Sequence, residues 1–391
     1  MLPDIPVFNG ITCTINTTED CNLRCKYCYE INKCARSINP EYCYKFVDLL
    51  TDGDKLEKLL RPNETELRHG LIIDFIGGDS LIDPGLLDDV LTYLNYKNSL
   101  RDVPRRWRSS ISSNGTLFYR KDVRDFCEKW KDNLSLGISI DGCPEIHDMN
   151  RVFPNGEGSM AKILEWWPWY QEVFPTDSLQ TKATCAKSSI PYLYDSLVFM
   201  HETLGLKYIH QNFIMENMNL EDEDLKLLDK QLEKCTQYVF DHRHEMHWSM
   251  IGPIFLPEEG KRDMSESMCG SGKMITLGID GGYYPCFRWL RHTQAEGSKT
   301  LTFGNVNEGI TNPEVYDIVY EGSKRCNCTK DDKCFDCEFE PCCKYCIGGC
   351  YAEFGEFRRT TYICEVTKLQ CKWARIYKSM LKEKETDNAS E

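Results

Sequence analysis

The sequence predicts an α/β protein: a parallel sheet of strand–helix units, followed by a smaller cysteine-rich module. Three observations carry this. Short apolar or alternating segments recur between helical repeats across the first 215 residues. Three closely spaced cysteines follow the first of these strands at once, the position where ligands sit in parallel α/β sheets. Ten of the 22 cysteines lie between Cys326 and Cys371, whereas residues 44–268 hold four, so the thiols are concentrated in one late region.

The bulk numbers bound the function. A chain of 391 residues, 41% apolar, has room for a barrel plus a smaller module. Net charge −14 and pI near 5.2 argue against nucleic acid, which needs a basic surface, and leave a basic peptide region among possible partners. The opening MLPDIPVFNG has neither the basic nor the apolar segment of a signal peptide, and no run is apolar enough to span a membrane. Clustered cysteines in such a chain read as metal ligands in a cytoplasmic protein rather than as disulfides.

In order, residues 11–16 (ITCTIN) alternate as a half-buried strand, and 40–51 read as a helix with Pro40 in its first turn. The strand 71–80 ends in Gly77-Gly78-Asp79, and helix 84–96 carries apolar residues at 87, 90, 91 and 94. Strand 109–118 contains the Asn114-Gly115 turn, followed by helix 118–131 and strand 133–140. Strand 178–184, helix 189–204 and strand 206–213 complete six strands alternating with helices, the pattern of a parallel sheet. Cys43, Cys127 and Cys185 read as buried thiols, and His210 as a satisfied core histidine rather than one facing the barrel mouth. A helix of about twenty residues bridges the segment 216–265. His242, His244 and His247 do not share one helical face and read as part of a surface helix. The tail 383–391 (EKETDNASE) reads as disordered.

The chemistry starts at Cys21-x₃-Cys25-x₂-Cys28, with Tyr27 before the last cysteine. Four thiolates normally hold an Fe–S cluster, so three in one loop imply an iron left open to another ligand. Zinc sites, in contrast, usually pair two halves of the C-x₂-C or C/H kind. With its aromatic, the loop resembles that of the radical S-adenosylmethionine (SAM) enzymes. That resemblance implies a partial (β/α)₆ TIM-like barrel over about residues 8–215, a [4Fe–4S] cluster on Cys21, Cys25 and Cys28, and SAM chelated to the open iron. Reductive cleavage would then give a 5′-deoxyadenosyl radical that takes a hydrogen atom. Gly77-Gly78-Asp79 resembles the family's Gly-Gly-Glu motif, which contacts the SAM amino group, with Asp79 in place of Glu. Asn114 lies in a segment like the third-strand TNGT ending. Ser139-Ile-Asp-Gly142, His147-Asp148, Arg151 and GEGSM (156–160) resemble one continuous family run, in which Ser139 and Arg151 contact the SAM carboxylate.

Further on, Cys269-x₁₁-Gly281-x₄-Cys286 includes a hairpin with an Asp280-Gly281 turn, and Cys334-x₂-Cys337, Cys346-x₃-Cys350 and Cys364 follow. This resembles the SPASM extension, which implies two auxiliary [4Fe–4S] clusters in residues 266–372, beyond a helical bridge (216–265) and before a tail (373–391). Carried over, Cys269, Cys286 and Cys350 would hold the first, and Cys334, Cys337, Cys346 and Cys364 the second. The gap from Cys337 is longer than the pattern, so Cys343 could replace Cys346. The fourth ligand of the first auxiliary cluster is either Cys326 or Cys328, or its iron is open to substrate. The resemblance implies a precursor peptide as substrate and a flavodoxin or ferredoxin as reductant. A cysteine thioether is the expected modification, with sulfatase maturation (formylglycine formation) as the alternative. Against the alternative, Phe287-Arg288 follow Cys286, where sulfatase maturases place an aspartate base.

Overall fold

A computed structural model describes residues 8–30, 32–60, 62–175, 180–215, 218–257, 269–294, 301–327, 334, 336–359 and 362–390. One sheet runs through it. Its strands are β1 (Ile11–Thr18), β2 (Leu71–Gly77), β3 (Trp107–Ser113), β4 (Leu134–Ile138), β5 (Gln180–Cys185) and β6 (Tyr208–Phe213). Shorter ones follow: β7 (His247–Trp248), β8 (Ile275–Leu277), β9 (Gly282–Tyr284), β10 (Gly304–Asn305) and β11 (Gly309–Ile310). Their order is β11-β10-β9-β8-β1-β2-β3-β4-β5-β6-β7.

Strands β1 to β7 run parallel, each of the first six separated in sequence from the next by helical segments. β8 is also parallel, pairing with β1 from Cys13↔Ile275 to Ile15↔Leu277, and β9 to β11 fold back antiparallel. The late hairpin therefore extends the barrel sheet rather than forming a separate one.

Alternation assigns the two faces. Cys13, Ile15, Ile73, Phe75, Ile111 and Leu136 join the core under the outer helices. The residues between them face the inside, and they are polar. In register across five strands stand Thr276, Thr14, Asp74, Ser110 and Ser135. Parallel strands buried on both faces normally read as apolar runs, and this polar inner row departs from that pattern.

The helix Pro40–Thr51 starts as its sequence suggests, with Asn39 accepting from the Glu41 N–H and Pro40 at a position that needs no donor. Elsewhere the sequence-based bounds shift. The third strand begins earlier and stops at Ser113, because Asn114 and Gly115 (φ +74°) already turn. Residues 189–204 form a mixed segment, 3₁₀ through Tyr192, α over Leu193–Val198 and π over Phe199–Thr203, with Pro191 removing one backbone donor. The bridging helix is Asp222–Asp241. It ends before the histidine trio, so the surface-helix reading of those residues does not hold: His242 follows the last turn and His247 opens β7, its N–H donating to Lys207 O at 2.7 Å.

The expected disordered tail is also corrected, since the last helix runs Cys364–Ser390. Val366, Cys371, Trp373 and Ala374 bury its first half, and Asp229 takes bonds from Lys372 Nζ and Trp373 Nε1, both at 2.7 Å. Once docking has nucleated the helix, Lys- and Glu-rich residues extend it at little cost.

Candidate functional site

Cys21, Cys25 and Cys28 sit on the loop just beyond the carboxyl end of β1. Distant residues hold that loop. Arg24 N donates to Val152 O at 2.7 Å and Lys26 N to Asn150 O at 2.9 Å; from the other side, Gly78 N reaches Thr18 O (3.1 Å) and Asp79 N reaches Asp20 O (3.0 Å). The Cys21 sulfur receives the Leu23 N–H at 3.4 Å and the Asn114 amide at 3.9 Å. Cys25 interacts electrostatically with both other thiols, and Lys33 bonds to Cys28 and lies near Cys21. Burial pushes the Cys21 thiol up to about 11 and raises Cys25; a coordinating metal ion would override this and keep both as thiolates. Three thiols on one loop, served by amide donors and a lysine, fit an iron–sulfur cluster that takes its fourth ligand from elsewhere.

Gly77 and Gly78 are needed for a reason nearer than a ligand. A Cβ on Gly77 would lie 2.2 Å from Thr18 O, and one on Gly78 would lie 2.0 Å from Asp20 O and 2.7 Å from Cys21 Cβ. The glycines let β2 press against the cysteine loop. The Asp79 carboxylate is committed as well, accepting from Ser113 Oγ (2.9 Å), Asn114 N (2.8 Å) and Leu81 N (3.1 Å). Asn114 bridges to Asn22 Oδ1 at 2.8 Å.

Arg151, 8% exposed, forms an ion pair with Asp141 Oδ1 at 3.1 Å and lies over the Tyr27 ring at 5.3 Å. The Tyr27 hydroxyl donates to the other Asp141 oxygen. Burial opposes the Arg151 charge, but Asp141, Tyr27 and Cys25 more than offset it and raise its pKa. Ser139 stands at the end of β4, its N–H donating to Ser113 O at 2.9 Å. The rest of the run is scaffold. His147 Nδ1 accepts from Asp141 N (3.4 Å), its Nε2 meets Ser159 Oγ (2.9 Å), and that hydroxyl donates to Arg151 O (2.8 Å). Burial, then Arg151, lowers the His147 pKa to about 3, so the ring is neutral. Asp148 accepts from Met160 N at 2.8 Å, and a Cβ at Gly158 would strike it. The sequence signal for Asp141 and His147 was present, but it did not distinguish ligand contact from support.

The late cysteines fall into two neighbourhoods. Burial raises the Cys286 pKa, and Cys346 and Cys269 are near enough to raise it further. Burial likewise pushes Cys343 to about 11, with Cys364 and Cys334 raising it against Arg359 and Arg325. Cys337 and Cys364 both act on Lys368. Cys346 thus stands with Cys286, and Cys343 with Cys334 and Cys364. Cys350 follows Cys346 by one helical turn, its N–H donating to Cys346 O at 2.8 Å. Cys326 is exposed, and Cys328 lies outside the described residues. Cys43, Cys127 and Cys185 are buried free thiols.

The two cysteine regions touch. Tyr29, next to Cys28, packs on Phe287 (ring centroids 5.8 Å apart) and under Arg288 (4.7 Å). The residues after Cys286 therefore close onto the first loop. Deeper, His292 is 2% exposed between Glu19 (3.4 Å) and Glu30 (3.6 Å). On β5 and β6 a cavity of about 420 Å³ is lined by Lys182, Thr184, His210 and Asn212. His210 is exposed to it, not a core histidine, because β6 alternates and Ile209, Gln211 and Phe213 take the buried face. Burial, then His247, Lys344 and Lys182, lower its pKa. On the outer surface, His242 meets His201 and Glu245, with ligand atoms within 4.8 Å of one another.

No family model matches the chain. An uncharacterized protein of Methanocaldococcus jannaschii is 25% identical over 301 residues, 75% of this chain and 88% of that one. A cysteine-type anaerobic sulfatase-maturating enzyme of Clostridium perfringens is 22% identical over 86% of this chain and 93% of its own length. Native anSMEcpe with bound AdoMet shares the fold at TM-score 0.68 and 16% identity, covering 95% of this chain and 98% of that one. Streptococcus suis SuiB bound to precursor peptide SuiA does so at 0.59 and 16%, covering 90% and 75%. The resemblance to radical SAM enzymes with a SPASM extension is borne out, and the parallel sheet with its cysteine-rich extension is their fold. Among the described residues no helix is long and apolar enough to cross a membrane.

Proposed function

We propose that the chain is a radical SAM peptide-modifying enzyme that oxidises a cysteine in a peptide substrate. The observation that carries this is the joining of the two cysteine regions at Tyr29, Phe287 and Arg288, with Tyr29 near the inner-face Asp74. Cys21, Cys25 and Cys28 would hold the SAM-binding [4Fe–4S] cluster, with Arg151 and Ser139 toward the SAM carboxylate and the Gly77–Asp79 backbone toward its amino group. Bound there, cluster and SAM would supply a 5′-deoxyadenosyl radical. Arg151 arrives with its charge fixed by Asp141 and its position fixed by the Ser159–His147 chain, so it needs little reorganisation to meet an anion.

Residues 8–215 form the activating core, 216–265 the bridge and 266–372 the module for two auxiliary clusters. For these the proximities favour Cys269, Cys286, Cys346 and Cys350 as one set and Cys334, Cys337, Cys343 and Cys364 as the other. That supplies the missing fourth ligand and removes the need for an open auxiliary iron. The substrate is a precursor peptide and the reductant a flavodoxin or ferredoxin. A thioether is the first product to seek, since Phe287 and Arg288 leave no acid beside Cys286. Formylglycine is the second reading, favoured by the full-length likeness to the maturating enzyme. Reduced, reconstituted protein with SAM and a synthetic cysteine peptide tests both. Loss of two hydrogens with sulfur retained means a thioether, and sulfur replaced by oxygen means formylglycine. Peptides left unchanged while 5′-deoxyadenosine accumulates would refute the substrate class.

A further inference from the structure

Making a C–S bond from a peptide C–H and S–H, or oxidising a cysteine or serine side chain, removes two hydrogens and two electrons. One hydrogen leaves as an atom, to the 5′-deoxyadenosyl radical. The other divides into an electron, taken by a one-electron acceptor of the iron–sulfur class, and a proton. That proton needs a base within hydrogen-bond reach of the substrate sulfur or oxygen.

The acids near the lumen can be sorted by their partners. Asp79 is filled by Ser113, Asn114 and Leu81, and Asp141 by Tyr27, Arg151 and the Thr184 N–H at 3.0 Å. Glu19 holds Arg36 at 2.6 Å and faces His292 at 3.4 Å; Glu30 is 4% exposed, facing His292 at 3.6 Å and Lys33 at 4.0 Å with neither oxygen hydrogen-bonded, but it lies on the cysteine loop and not on the sheet. Asp74 differs in its place. It projects from the inner face of β2, half-buried, with Ser110 as its hydrogen-bond partner and the Lys182 charge across the lumen. Around it the row is unsatisfied: Thr14 Oγ1, Thr276 Oγ1 and both amide atoms of Asn16 are buried with no hydrogen-bond partner, and Asn16 is 0% exposed. Buried polar groups rarely stay unpaired in a finished protein, and these share the inner face of adjoining strands with Asp74.

We infer that Asp74 is the base that takes the substrate's thiol or hydroxyl proton, at the half-buried inner face of β2 opposite Lys182. This rests on the peptide-oxidising reading above. It serves the thioether and formylglycine outcomes alike, because both release the same proton. Lys182, tethered to Ser112, keeps the conjugate carboxylate available. Burial raises the Asp74 pKa against Lys182 and Ser110, toward the working pH where a general base is most effective. Tyr29 is the other titratable group facing Asp74, with Arg288 and Glu30 beyond it, and His210 stands beside Lys182.

The test uses the reconstituted full chain in two arms. Infrared difference spectra of wild type against Asp74→Asn, taken over pH, should show one carboxyl band titrating above the ordinary carboxylate range and missing in the variant. A band fixed in one protonation state across the working range overturns the assignment, with no substrate involved. With SAM, reductant and a single-cysteine peptide, Asp74→Asn should still release 5′-deoxyadenosine while oxidised peptide falls about a hundred- to ten-thousand-fold. Asp74→Glu should restore part of it, and the acid limb of the wild-type pH profile should flatten in Asp74→Asn. Undiminished product in Asp74→Asn overturns the inference. A wild type that cleaves SAM but leaves the peptide untouched refutes the peptide reading instead, and the infrared arm then decides on Asp74.

Discussion

Cys21, Cys25 and Cys28 occupy one loop at the end of one strand, whereas the later cysteines come from a hairpin, a 3₁₀ turn and two helices between Cys269 and Cys364. In the first region spacing alone brings the thiols together, and the rest of the barrel supplies position: Gly78, Asn114, Asn150 and Val152 all bond the loop from outside it. In the second region spacing says little, because neighbours in space such as Cys286 and Cys346 are sixty residues apart. A local motif declares its chemistry and hides its support. A dispersed one hides its pairing.

The largest expected effect separates the two regions outright. Cys25→Ala should abolish 5′-deoxyadenosine release while the auxiliary sites keep about eight of the roughly twelve irons of three cubes. Equal loss of iron everywhere would show that the regions do not load independently.

Gly78→Ala should do nearly as much without touching a ligand. Its Cβ would sit 2.0 Å from the Asp20 carbonyl, and backbone cannot yield as a flexible side chain can. Iron and SAM cleavage should fall at the first site only, seen by iron analysis beside unchanged auxiliary absorption. Normal loading would mean that the loop has slack.

For the dispersed set the discriminating pair is Cys346→Ala against Cys343→Ala. If Cys346 belongs with Cys286, its loss should perturb the Mössbauer or EPR signature of the same cluster that Cys286→Ala perturbs. Cys343→Ala should instead match Cys364→Ala. The reverse matching would restore the spacing-based assignment of Cys346.

The same contrast explains what could be read from the sequence. The six strands were legible because Ile73/Phe75 and Ile209/Phe213 alternate cleanly. The cysteine loop was legible because its residues are contiguous. The use of Asp79 was not: its carboxylate closes the ends of β2 and β3, which only the fold brings together. Asp74 left a signal, a charge at an inward position of LIIDFIG, but alternation alone cannot say whether the inside is solvent, core or lumen. His210 was misjudged for that reason. The last helix was missed because composition describes a free tail, and docking by Trp373 changes the starting point.

The smallest effect tests the support beneath Arg151. His147 is buried and neutral, with its pKa lowered to about 3 from an ordinary 6.5, first by burial and then by the Arg151 charge. The unfolded chain binds a proton to this ring below pH 6.5 and the folded chain does not. Stability must therefore fall as pH drops from 6.5 toward 3, and be fully present above 6.5. At ~1.4 kcal/mol per pH unit the ring alone accounts for several kcal/mol by the bottom of that range. His147→Gln removes the titration together with the bonds to Ser159 and Asp141, so it should melt lower at neutral pH but lose less on acidification. The gap between the two melting temperatures should narrow steadily below pH 6.5. Carboxylates titrate in both proteins and cancel in that difference. Parallel melting curves from pH 7 to pH 4 would mean that the ring is solvated or charged in the folded state, and that Arg151 is held by Asp141 without the chain through Ser159.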